Sequence, residues 1–62
     1  MTITTKDLAK EMIRVANLSV DNGEMTRREA ADVLEAGSKL FGNNAHYRHM
    51  ILDEADALRL SN

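Results

Sequence analysis

The sequence predicts an all-α protein: a bundle of three short helices that a second copy of the chain completes. Apolar residues recur at helical spacing in three segments, no segment alternates convincingly at period two, and glycines separate the segments. The chain has 62 residues, of which 44% are hydrophobic and 29% are charged, so it is too apolar for a disordered tail. A chain this short buries only about 60% of its unfolded surface. We therefore expect one small domain over residues 1–62.

The first helix is predicted at about residues 5–21. Thr4 and Asp7 have the spacing of a capping box, and Gly23 can adopt the left-handed conformation that ends a helix. At about 100° per residue, one side of this helix gathers an apolar arc roughly 160° wide. The arc contains Leu8, Ala9, Met12, Ile13, Val15, Ala16 and Val20, and the polar side contains Lys10, Arg14, Asn17 and Asp21. One neighbouring helix rarely covers so wide an arc.

The second helix is predicted at about residues 26–41. Thr26 and Glu29 form the clearest capping box in the chain, and Gly42 is placed to end the helix in the left-handed conformation. Gly37 lies near the middle of the apolar side of this helix. Because a glycine inside a helix costs about 1 kcal/mol relative to alanine, its position predicts that another helix approaches closely there.

The third helix is predicted at about residues 45–60. Asn43 or Asn44 can cap its start, since an amide oxygen accepts a hydrogen bond from a free backbone N–H of the first turn. Arg59 stands in the last turn, where a positive charge interacts favourably with the helix dipole.

Glu54 falls near the centre of the apolar side of the third helix. Burying a carboxylate alone is costly, so this residue must find an arginine, bonded polar groups or water. Arg14 and Arg27 are the candidate partners, and the open edge is the more common arrangement.

Charge and composition exclude several function classes. Eight Lys and Arg residues against ten Asp and Glu residues give a net charge of -2, the wrong sign for a protein held mainly by phosphate contacts. Without cysteine the chain has no disulfide and no thiolate metal site. The N-terminus lacks the basic start and apolar run of a signal peptide, and no apolar stretch is long enough to span a bilayer. A soluble cytoplasmic protein without membrane contact is therefore expected.

Catalytic and metal sites have weak support in the sequence. His46, His49 and Asp53 share one side of the third helix and are residue types that hold zinc, but they do not form the H-E-x-x-H pattern. The serines have no nucleophile motif, and three short helices leave little volume for a substrate. We therefore expect a protein that is not an enzyme and that has no catalytic residues, cofactor or metal.

Nucleic-acid binding is the main alternative function. The second and third helices could form a helix-turn-helix in which the start of the third helix reads DNA. The residues that would contact the nucleic acid are Asn43, Asn44, His46 and Arg48. Arg48, however, stands where this motif expects an inward apolar residue, and the acidic residues from Asp53 to Asp56 would be repelled by DNA.

A helical module that associates with itself and with another protein is the favoured function. Chains of this size usually need a disulfide, a metal or self-association to be stable, and the first is excluded here. We therefore predict a homodimer that contacts an unidentified protein partner in a non-enzymatic regulatory or accessory role. The residues predicted for the protein interface are Leu18, Gly37, Tyr47, Met50, Leu52 and Leu60.

The build of the chain is similar to that of a known group of proteins. Its length, acidic charge, lack of cysteine and helical character resemble the small accessory proteins encoded in early regions of temperate bacteriophages. The stretch nearest to a signature is Asn17-Leu-Ser-Val-Asp-Asn-Gly-Glu-Met-Thr-Arg-Arg-Glu-Ala30, and it transfers no site residues. The resemblance implies that the protein adjusts host or phage regulation through protein contacts, in the host cytoplasm.

Overall fold

The computed structural model describes residues 3–60, which form three α-helices. α1 spans Thr5–Asp21, α2 spans Arg27–Ser38, α3 spans Ala45–Leu60, and a short 3-10 turn at Lys39–Phe41 continues α2. No strand occurs within the described residues, so the prediction of an all-helical chain with three helices is confirmed. The predicted first and third helices agree with α1 and α3.

The second helix differs from the predicted range 26–41 at its C-terminal end. Its α-helical part ends at Ser38, whose hydroxyl donates a 2.6 Å hydrogen bond to the carbonyl of Glu35. The backbone N–H of Lys39 bonds to a carbonyl three residues back, so the last turn tightens into a 3-10 helix. This turn carries Phe41 into the core, where it is buried.

Side-chain caps start α1 and α2 where the sequence predicts. The backbone N–H of Glu29 donates to Thr26 Oγ1 at 3.1 Å, and the N–H of Thr26 donates to Glu29 Oε1 at 2.9 Å. The hydroxyl of Thr4 accepts from the N–H of Asp7 at 3.1 Å. These bonds satisfy backbone groups that have no partner inside the helix, and this is why each helix begins there.

The two glycines predicted to end helices differ in conformation. Gly23 has a φ of 76°, the left-handed conformation, and α1 ends beside it as predicted. Gly42 has a φ of -44°, so the prediction of a left-handed glycine there is wrong. The turn before α3 is closed instead by the N–H of Asn44, which donates to the carbonyl of Phe41 at 2.7 Å.

The core is built largely from alanine. Small side chains let helix axes approach closely, so few large residues are needed to fill the space between them. Leu34 of α2 and Ile51 of α3 are the largest side chains that are fully buried. The buried apolar residues of the described part are Ala9, Ala16, Ala30, Ala31, Leu34, Phe41, Ile51, Ala55 and Leu58. α2 and α3 share the most extensive contact, and α1 contacts both.

Glu54 is half-buried and bonds to an amide, one of the arrangements that the sequence left open, and not to Arg14 or Arg27. The side-chain Nδ2 of Asn17 donates to Glu54 Oε1 at 3.1 Å and to the carbonyl of Ile13 at 2.9 Å. Arg14 is paired with Glu11 of its own helix. Asn17, which the periodicity assigned to the polar side of its helix, therefore faces α3 and links it to α1.

Candidate protein-interaction surface

An apolar groove of about 240 Å³ lies at the surface between α1 and α2. The residues that line it, called here the α1/α2 groove, are Glu11, Met12, Val15, Ala16, Ser19, Met25, Val33 and Leu34. Six of these eight are apolar. The groove therefore offers a ligand apolar contact and few hydrogen-bonding partners.

The α1 wall of the groove exists because α1 is apolar over a wider arc than its neighbours cover. Ala9 and Ala16 are buried in the core, whereas Val15 keeps 45% of its surface exposed and Leu8 keeps 39%. On the facing wall, Val33 of α2 keeps 50% exposed. α2 and α3 thus leave part of the predicted apolar arc uncovered.

The end of the Met12 side chain, from α1, lies against Gly37. A Cβ atom built there would collide with the terminal methyl of Met12, which lines the groove. The contact comes from α1 of the same chain, so packing within the chain explains this glycine. The missing side chain at Gly37 lets Met12 lie against α2 and form part of the groove wall.

The charges beside the groove are engaged within the chain. Arg14 Nε donates to Glu11 Oε1 at 2.8 Å, and a second guanidinium nitrogen bonds the other carboxylate oxygen. This hydrogen bonding lowers the pKa of the Glu11 carboxyl and raises the pKa of Arg14. On α2, the carboxylate of Glu29, one turn before Val33, is held in the capping box. The charge of Glu11 is therefore paired within α1, whereas Glu29 is hydrogen-bonded to the backbone and keeps its negative charge.

An ionic contact with α3 closes another side of α2. Arg59 bonds to Asp32 at 2.8 Å and to Glu35 at 2.9 Å. The hydrogen bond to Asp32, followed by the one to Glu35, raises the pKa of Arg59. Sequence spacing assigned Arg59 only to the helix dipole, because it does not show which residues of two helices meet.

The residues predicted for the protein interface are distributed between the core and the surface. Tyr47 and Met50 are half-buried and pack against the core, and Leu52 is also half-buried. Leu18 and Leu60 are exposed by 46% and 85%. With Gly37 contacting Met12, only these two leucines of the predicted set are largely open to a partner.

Two residues of the groove, Val15 and Val33, were missed by the interface prediction. Their apolar periodicity grouped them with the core, and each is in fact about half exposed. The width of the apolar arc on α1 was the available signal, since an arc that one neighbour cannot cover must leave some of its residues open.

The residues of the DNA-binding alternative are partly used inside the chain. Asn44 caps α3, since its Oδ1 accepts from the N–H of Tyr47 at 3.5 Å. The guanidinium of Arg48 donates to the carbonyl of Gly42 at 2.7 Å. The exposed members of the predicted set are Asn43 and His46. A protein that read bases from this turn would have to release Arg48 from its backbone bond.

The polar side of α3 does not assemble a metal site in the described residues. Over residues 3–60, no three His, Cys, Asp or Glu side chains are placed together to hold an ion. His46 contacts Tyr47 edge to face, with the ring centroids 5.0 Å apart. His49 and Asp53 are exposed one turn apart on the same helix.

A search for membrane-spanning helices and comparisons with known proteins add no further functional site. No helix within residues 3–60 combines the length and apolarity needed to cross a bilayer. No protein-family model, curated protein or solved structure matches this chain. The functional interpretation therefore rests on the α1/α2 groove, a concave apolar surface with half-exposed valines on both walls.

Proposed function

We propose that this chain is a small non-enzymatic regulatory or accessory protein that acts through protein–protein contacts as a homo-oligomer. The observation that carries the proposal is the α1/α2 groove, which leaves Val15 and Val33 about half exposed. Covering apolar surface releases about 25 cal/mol per Å². Because a chain of 62 residues has little stability to spare, a protein contact at this groove would stabilise the fold as well as form an assembly.

The groove suits a protein surface better than a small molecule. Its volume of about 240 Å³ lies below the roughly 300–1,000 Å³ of pockets that enclose drug-sized ligands. It also lacks the converging polar groups that orient a substrate, since six of its eight residues are apolar. The proposed mode of action is therefore occupancy, by blocking or bridging a partner, without covalent chemistry.

A regulatory role also needs a surface for a different protein. We place this contact at Leu18 and Leu60, which are exposed and do not line the groove. The resemblance to temperate-phage accessory proteins supports a role of the same kind, in the cytoplasm, or in the host cytoplasm if the chain is viral.

Sedimentation equilibrium tests the self-association. The mass should be twice that of the single chain, which is 6.9 kDa. A monomer at every concentration up to about 1 mM would contradict the homo-oligomer. Salt-sensitive binding to duplex DNA that weakens with Arg48→Ala would favour the helix-turn-helix alternative instead.

A matched pair of variants tests the partner contact. Leu60→Lys should reduce capture of the partner from the native host cell, because it places a charge on the proposed apolar contact. Ala57→Lys adds the same charge at another exposed position of α3 and should leave capture unchanged. Equal capture by both variants would remove Leu60 from the partner surface.

A further inference from the structure

We infer that a second copy of this chain covers the α1/α2 groove, so that Val15 and Val33 of each copy are buried against the other across a two-fold axis. The inference rests on the proposed function, which calls for self-association and for a protein contact at the groove but does not say that the two are the same contact. A two-fold interface uses the same patch on both copies, so the groove and its borders must be complementary to themselves.

The exposed area of the chain is large for its mass. The scaling for compact monomers gives about 4,000 Å² for a chain of 6.9 kDa, whereas this chain exposes 4433 Å². The extents are 31 × 24 × 14 Å, so the shortest is under half of the longest. A stable interface buries roughly 800 Å² on each partner. Burying that much here would bring the exposed area of each chain below the value for a compact monomer.

The charges beside the groove favour an identical partner. In a two-fold dimer, groups near the axis face copies of themselves, so an unpaired charge there would be repelled. The charged residue that lines the groove is Glu11, and it is bonded to Arg14. This charge is therefore paired before two copies meet. A partner that bound through a countercharge to Glu11 would have to compete with Arg14.

The shape of the α1/α2 face is also suited to self-association. A row of exposed apolar residues follows α2 and the 3-10 turn after it: Val33, Ala36 and Leu40. Leu40 is 76% exposed, and Val33 borders the groove itself. Helices pack by placing the ridge of one against the groove of another. A copy related by a two-fold axis can therefore set its row into the groove of the first and receive the first row in return.

Light scattering on the full chain and three variants tests the inference. Val33→Glu and Val15→Glu each place a carboxylate in the groove, and Ala57→Glu places one at an exposed apolar position outside it. Wild type and Ala57→Glu should show twice the mass of one chain. Both groove variants should be single chains, with the dissociation constant raised by about a hundredfold or more, because a buried carboxylate without a partner is strongly unfavourable.

The possible outcomes distinguish a failure of the groove interface from a failure of the proposed self-association. A wild-type dimer with both groove variants still dimeric overturns the inference and leaves self-association by another surface. A wild-type monomer up to about 1 mM overturns both. Helical circular dichroism checks that each variant folds, which is expected because Val15 and Val33 are half exposed.

A measurement on the unmodified chain keeps the inference testable if the groove variants fail to fold. In a mixture of isotope-labelled and unlabelled wild-type protein, nuclear Overhauser contacts between chains should involve the methyl groups of Val15 and Val33. Contacts between chains that are confined to other residues would overturn the inference.

Discussion

The contact of α2 with α3 is closed, whereas its contact with α1 is open. On the α3 side, Ile51 is fully buried and Arg59 bridges to two carboxylates of α2. On the α1 side the contact is less extensive, and Val33 stays half exposed beside the groove. The same short helix thus completes one interface within the chain and leaves the other incomplete.

Buried alanines on α2 and α3 contrast with half-exposed valines at the α1/α2 groove. Ala31 of α2 and Ala55 of α3 are fully buried, and side chains this small let two helices approach closely. At the α1/α2 groove the border is formed by the larger Val15 and Val33, which neither helix covers. A wide apolar arc alone therefore does not ensure burial, because the neighbouring helix must also reach it.

The largest change in the free energy of unfolding is expected from a substitution at the closed contact between α2 and α3. Ile51→Ala removes most of a fully buried side chain and should lower the free energy of unfolding by about 2–5 kcal/mol. Val33→Ala, the control on the open side, should cost about 1 kcal/mol or less in dilute protein, because half of that side chain is already exposed. Urea unfolding at low protein concentration measures both. Equal losses would show that the two sides are equally closed.

Breaking the hydrogen bond between Asn17 of α1 and Glu54 of α3 should have the next largest effect on the free energy of unfolding. Asn17→Ala removes the donor to Glu54 and should lower the free energy of unfolding by about 1–3 kcal/mol, since a half-buried carboxylate loses its partner. A double-mutant cycle with Glu54→Ala isolates the bond itself from the other consequences of each substitution. Additive losses in the cycle would mean that this bond does not hold α1 in place.

The two interhelical turns should respond differently to alanine. Gly23→Ala, in the turn between α1 and α2, should cost about 1–2 kcal/mol because Gly23 has a φ of 76°. Gly42→Ala, before α3, should cause no loss, because φ is -44° and a Cβ there lies 3.6 Å from the carbonyl oxygen of Lys39. Thermal unfolding compares the two. A loss at Gly42 as large as at Gly23 would contradict the right-handed turn.

The helix caps should have the smallest effects. Thr26→Ala should cost about 1 kcal/mol because it breaks the capping box of α2, the helix that both sides share. Thr4→Ala should cost less, since it loosens only the start of α1, where residues are exposed. Urea unfolding of the two variants gives the comparison, and a greater loss from Thr4→Ala would place α1 among the more firmly held elements.

The candidate site was predictable in kind but not residue by residue. The wide apolar arc of α1 indicated that some of its residues would stay uncovered, and Val15 is one of them. Tyr47 and Met50, chosen for the surface, pack against the core. Periodicity shows which side of a helix is apolar, whereas exposure depends on how far the neighbouring helix extends over that side.

The sequence by itself determined the all-helical class, the starts of α1 and α2 and the end of α1 at Gly23. These features depend on hydrogen bonds and backbone conformations among residues close together in the chain. Only the tertiary structure decided the bond from Asn17 to Glu54, the bridges of Arg59 and the position of the α1/α2 groove. Those features depend on the distances and angles between helices, which the spacing of apolar residues along one helix does not specify.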